Sequence, residues 1–126
     1  MRAPVWLGKE IVVSVHRELL VEFGGAPGLR DEGLLLSALD RPKNLADGKP
    51  TKFELASAYA FALVRKRPFV DGNERIGFMA AVLFLEENGC TFIASEADAV
   101  LQTLALAAGE LSEKEYARWL KENSKL

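Results

Sequence analysis

The chain has one cysteine, one histidine and no apolar run of membrane length, and each shortage removes a class of function. Cys90 has no second thiol to pair with, so an intrachain disulfide is excluded. It sits beside Gly89 and the apolar Phe92 and Ile93, with no histidine nearby in sequence, and reads as a buried structural thiol rather than a nucleophile. His16 and Cys90 together cannot supply a zinc site of the usual ligand spacing. No segment reaches the ~20 apolar residues of a membrane span. Met1 to Leu7 holds one arginine and too short an apolar run for a signal peptide, so a cytoplasmic location is expected. Ten glycines and five prolines are too few and too scattered for a disordered or fibrous chain. With a net charge of -2 and both signs interleaved, most charges read as solvated surface, and no basic footprint for nucleic acid is present.

What is present suits one helical domain. The 126 residues, 49% of them hydrophobic, suffice for a single core, and residues 1–126 read as one domain. From Lys9 to Phe23, Ile11, Val12, Val15, Leu19, Leu20 and Phe23 recur at helical spacing until Gly24-Gly25 stops the run. Asp31 can cap a short helix carrying Leu34, Leu35, Ala38 and Leu39, which Pro42 is expected to end. Lys43 to Pro50 is polar and glycine-containing and reads as a mobile loop. Thr51-x-x-Glu54 is a capping box opening a helix to about Lys66. A strongly apolar helix from about Asn73 to Glu87, through Ile76, Met79, Ala80, Leu83 and Phe84, is expected at the centre of the domain. An extended stretch, Cys90 to Ala94, precedes a helix from Ser95 to Ala108, and the capping box Ser112-x-x-Glu115 opens the last helix. The expectation is an all-α bundle of about six helices, with Trp6, Tyr116 and Trp119 in core or edge packing.

Between two of these helices lies Arg67-Pro68-Phe69-Val70-Asp71-Gly72-Asn73-Glu74-Arg75. A loop entering a helix N-terminus offers free N–H groups and partial positive charge, which suit phosphate. Gly72 permits a tight turn, Arg75 can make a bidentate phosphate contact, and Asp71 can hold a magnesium ion that bridges phosphates. The plainer reading of the same residues is an ordinary helix start, with Asn73 as cap, Asp71 favouring the dipole and Arg75 facing solvent.

The stretch resembles the loop of the Fic/Doc family, His-x-Phe-x-Asp/Glu-Ala/Gly-Asn-Lys/Gly-Arg. The resemblance runs from about Trp6 to Asn123 and includes Gly25 to Leu35, Phe53 to Ala60, Phe84-Leu85-Glu86 with Asn88-Gly89, and Ala107 to Leu111. It implies a loop that binds a nucleoside triphosphate with magnesium and modifies a hydroxyl on a target protein. The brevity of the chain resembles the Doc branch, death-on-curing toxins that use ATP to phosphorylate a threonine of elongation factor Tu and arrest translation. Their partner is a small antitoxin of the prevent-host-death type. By resemblance Phe69 is the buried anchor, Asp71 the magnesium-binding acid, Gly72 and Asn73 the phosphate-cradling turn, and Arg75 the phosphate-binding arginine.

Two positions depart from that pattern. Arg67 stands where the family has its catalytic histidine, and Glu74 where Doc toxins have lysine. Arginine has a pKa above 12 and no acceptor nitrogen, so it cannot deprotonate a hydroxyl, and losing a general base costs about 10²–10⁴ in rate. A carboxylate at position 74, about 6 Å from a phosphate charge, is unfavourable by roughly 2–3 kcal/mol per unit charge. Ile76 stands where the family often has threonine. The chain is therefore expected to be impaired or inactive as an enzyme. Two other readings stay open: a non-catalytic module that binds an antitoxin or another protein, and an AMP-transferring Fic enzyme with a relocated base. His16 reads as a helix-face residue bonding locally, with a place near the loop as the alternative.

Overall fold

The computed structural model describes residues 3–126, so the Met1 and Arg2 part of the N-terminal reading lies outside the described residues. Among the described residues the all-α expectation holds. Six helices follow one another: α1 (Lys9–Phe23), α2 (Glu32–Leu45), α3 (Lys52–Lys66), α4 (Asn73–Glu87), α5 (Glu96–Ala108) and α6 (Glu113–Glu122). Strands β1 (Thr91–Phe92) and β2 (Ser124–Lys125) form a minimal antiparallel pair, Thr91 opposite Lys125 and Phe92 opposite Ser124.

The helix ends follow from local chemistry. Thr51 with Glu54 and Ser112 with Glu115 close complete capping boxes at the starts of α3 and α6, satisfying two amides at each end. Asp31 and Ser95 cap α2 and α5 by accepting from Leu34 and Asp98 amides. Gly109, at φ 79°, closes α5 in the left-handed conformation that glycine adopts without a steric cost.

α4 shares the centre with α3, which packs against α2, α4, α5 and α6. Their contact is close because Gly77 has no side chain: a Cβ there would meet Val64 Cγ1 at 2.7 Å and the Ala60 carbonyl at 3.2 Å. Ile76, Ala80 and Phe84 of α4 and Leu55, Tyr59 and Leu63 of α3 are fully buried or nearly so. The Phe84 ring lies 5.3 Å from Tyr59 and 5.9 Å from Trp6, which lays the N-terminal segment over the bundle. Tyr116 is buried with its hydroxyl 2.8 Å from Thr103 Oγ1, and Trp119 donates its indole N–H to Asp98 at 2.7 Å. These aromatics pack as expected, and Cys90 is buried.

Two local expectations fail and one element was not expected. Pro42 does not end α2, which continues to Leu45 with Pro42 buried inside it. A proline costs an intrahelical bond, but here tertiary contacts hold the chain helical: Arg41 forks onto Glu113 through Nε and a terminal nitrogen and lies 4.9 Å from the Phe61 ring. Lys43 to Pro50 is accordingly not a plain loop, since Lys43 to Leu45 finish α2 and Ala46–Gly48 form a 3₁₀ turn. Strand β2 went unforeseen because it exists only by pairing with β1.

Truncating Phe84 to alanine should lower unfolding free energy by about 3–5 kcal/mol, as for other buried aromatic deletions. Urea titration of the parent and variant chains checks this.

Candidate active site

The loop from Arg67 to Gly72 is folded by its own main chain and by the segment after α1. Arg67 ends α3 in the left-handed region, φ 49°, and its N–H donates to the Leu63 carbonyl at 3.1 Å. That conformation costs a non-glycine residue on the order of 1 kcal/mol. Arg30 steadies it, donating from Nε to the Arg67 carbonyl at 2.7 Å and from a terminal nitrogen to the Lys66 carbonyl at 2.8 Å. Arg30 and Asp31 amides converge on the Pro68 carbonyl, and the Val70 amide donates to the Gly28 carbonyl, so Leu29 and Phe69 form an antiparallel bridge.

Asn73 closes the loop from within. Its amide group donates to the Phe69 carbonyl and accepts from the Phe69 N–H, both at 3.0 Å, and the residue is fully buried. Asn73 is therefore not the cap of α4. Gly72, at φ 76°, takes that position, and no side chain caps the helix. The first amide bond along α4 runs from Ile76 to the Gly72 carbonyl, so the amides ahead of it have no helical partner. They form the electropositive end at which an anion is favoured.

Asp71 projects beside that end. Its Oδ1 accepts from the Gly72 amide at 2.8 Å and its Oδ2 from the Ala26 amide at 3.2 Å. Those amides, Ala26 first, hold its pKa below the usual carboxylate value, with the Arg67 charge adding to the effect. Each oxygen accepts one N–H and keeps a further lone pair for a cation. No group of three His, Cys, Asp or Glu side chains among the described residues could hold a metal unaided. A cation here would take one carboxylate and complete its shell from phosphate oxygens and water, as magnesium does. The residues present thus fit a magnesium-bearing phosphate chain.

The charged residues of the loop's end pair among themselves. Arg67 and Glu74 form an ion pair at 2.9 Å, both side chains part-exposed, so the Glu74 charge is offset rather than bare. The repulsion expected between Glu74 and a phosphate is correspondingly reduced. Arg75 is exposed, as the plainer reading has it, and its guanidinium carbon also lies 4.0 Å from the centre of the exposed Phe23 ring. Ile76 points into the core, fully buried.

Beside the loop opens a groove of about 660 Å³. Asp71, Gly72, Glu74 and Arg75 line one part of it, and Leu20, Phe23, Met79, Val100 and Leu104 give it apolar walls from α1, α4 and α5. His16 lines it too, buried against the loop and not merely bonded within its own helix. The available signal was its place on the apolar stripe of α1, between Val12 and Leu20, where a polar ring needs a partner.

With this geometry in view, the comparisons with known proteins decide the family. A model described as the Fic/DOC family matches residues 6–85, which include α1, the whole loop and most of α4. The chain belongs to the Fic/Doc family. Over 72 residues it is 39% identical to a protein named Toxin Doc from Mycolicibacterium smegmatis (strain ATCC 700084 / mc(2)155), across 55% of this chain and 55% of that protein. The chain thus spans about half the length of the curated relative it matches. α5 and α6 lie outside the family match.

Two outcomes are expected of the loop. Asn73→Ala should cost about 2–4 kcal/mol, because it strands a buried donor and a buried acceptor. Arg67→Ala should cost less than about 1 kcal/mol, as exposed ion pairs do; denaturant midpoints compare them. Asp71, whose folded pKa is lowered from 3.8, stabilises the fold fully above that value and loses the contribution as pH falls through the lower folded value. Asp71→Asn should therefore flatten the acid limb of the stability profile while leaving neutral pH less affected, a difference that midpoints measured from pH 7 down to pH 2 resolve.

Proposed function

We propose that this chain is a Doc-type toxin of a toxin–antitoxin module, with a phosphoryl-transfer site that is built but lacks its base. The observation that carries the reading is the Arg67–Glu74 pair at 2.9 Å, set at the mouth of a loop otherwise arranged for a triphosphate. Magnesium-ATP, when bound, supplies the transferable phosphoryl group. The N-terminal amides of α4 and the Arg75 guanidinium would hold phosphate oxygens, and the Asp71 carboxylate would hold the cation. Phe69, buried under the loop, fixes its height. A target threonine must lose its hydroxyl proton as it attacks, and at the position of the family's base this chain has Arg67. Its guanidinium keeps its own proton and donates to Glu74 instead.

The target is elongation factor Tu and the partner a prevent-host-death-type antitoxin. The 39% identical relative bearing the name Toxin Doc supports a toxin with an antitoxin partner; the target and the antitoxin type are proposed from the resemblance of the chain to the Doc branch. The apolar walls of the groove suit the apolar face of an antitoxin helix. The same ion pair also favours a second reading, in which the chain keeps the scaffold as a non-catalytic antitoxin-binding module.

Arg67→His should restore part of the activity and Arg67→His with Glu74→Lys the rest, since histidine supplies a base with a pKa near 6.5 and lysine returns a positive charge to the phosphate side. The measurements are growth arrest on induced expression, relief by co-expressed antitoxin, and transfer of labelled γ-phosphate to elongation factor Tu. The parent chain should be silent in all three. A folded double variant that neither arrests growth nor modifies any protein establishes the binding-module reading. Transfer of labelled AMP in place of phosphate makes it an AMP-transferase, and activity in the parent chain overturns the missing base.

A further inference from the structure

His16 sits mid-way along α1, 55 residues from the loop in sequence and in direct contact with it in space. Its Nε2 lies 2.8 Å from the Asp71 carbonyl oxygen. A carbonyl only accepts, so the proton resides on Nε2 and the ring is the donor. The imidazole also stacks on Phe69, ring centres 3.7 Å apart and planes 12° from parallel, and is 4% exposed. The turn continues over the ring: a Cβ on Gly72 would lie 3.5 Å from Nε2.

Asp71 is thus held at two points from outside α4, and a third residue makes room for it. Its carbonyl is held by His16, its Oδ2 by the Ala26 amide, and its approach to the segment after α1 is allowed by Gly25, where a Cβ would lie 3.0 Å from Oδ2 and 2.9 Å from Leu20. We propose that His16 is the positioning residue of this site: by donating Nε2–H to the Asp71 carbonyl and stacking on Phe69, it makes α1 set the direction of the Asp71 carboxylate and of the first α4 amides. It is not the missing base, because the nitrogen facing the loop is committed as a donor. The inference deepens the reading of the loop as a magnesium-triphosphate site and rests on that reading for its consequence in binding, though not for its geometry.

The test has two parts. Long-range nitrogen–proton NMR of the parent chain should find the His16 ring as the Nε2–H tautomer. His16→Leu should move the amide resonances from Asp71 to Glu74, while His16→Gln, which keeps a donor, should hold them near the parent values. In magnesium-ATP calorimetry His16→Leu should weaken binding about ten-fold and His16→Gln should recover most of it. The Nδ1–H tautomer overturns the proposal. So does a His16→Leu chain that loses melting temperature while its Asp71–Glu74 resonances stay in place, which marks a merely structural residue. If the parent chain binds no magnesium-ATP, the triphosphate reading fails, and the tautomer and the resonances still decide the role of His16. Should His16→Leu not fold, the tautomer and the His16→Gln chain decide it.

Discussion

The reciprocal pair of hydrogen bonds between Asn73 and the Phe69 main chain is the constraint on which the loop's shape depends. It shuts a five-residue segment into a ring, buries the one polar side chain that could have capped α4, and leaves the helix start open. An Asn that capped in the ordinary way would have used up an amide that an anion can take. Turned inward, it satisfies Phe69 and frees the helix end. The Phe69 ring then has a defined place against His16, and α1 and α4 are registered through it. Structural satisfaction and ligand readiness therefore come from the same two bonds.

Much of this was legible in the chain. Capping boxes at Thr51 and Ser112, the glycine stops and the helical spacing of apolar residues placed the helices closely, because those signals are local. What escaped was non-local. Pro42 stays helical where it is buried and its neighbour Arg41 is engaged by Glu113 and Phe61, which come from other helices. β2 exists only where it meets β1. His16 drew a local interpretation, with a place near the loop as the alternative, because its apolar stripe shows that the ring needs a partner but not that the partner is a carbonyl 55 residues away. For the loop, the residue types allowed either an anion site or an ordinary helix start, while the inward turn of Asn73 and the stacking of Arg75 on Phe23 required the fold.

Arg67 and Glu74, considered one at a time, look like two separate injuries to a phosphate site. In the fold they are partners. Each neutralises the other, Glu74 lining the groove and Arg67 lying outside its lining, and neither reaches the Asp71 carboxylate as a hydrogen-bond partner. The pair leaves the electropositive end of α4 and the guanidinium of Arg75 as the principal charges an anion would meet. An arginine with no proton-accepting nitrogen and an anion-compatible helix end thus stand side by side in one chain.

Position 67 is held by atoms that every residue except proline shares: an N–H bonded to Leu63 and a carbonyl gripped by Arg30. Its left-handed backbone is dictated by these neighbours and not by the side chain it carries. Form and reactivity are consequently inherited separately here. A lineage can exchange one side chain at this site for another, passing between reactive and silent states, without having to rebuild the turn that presents it.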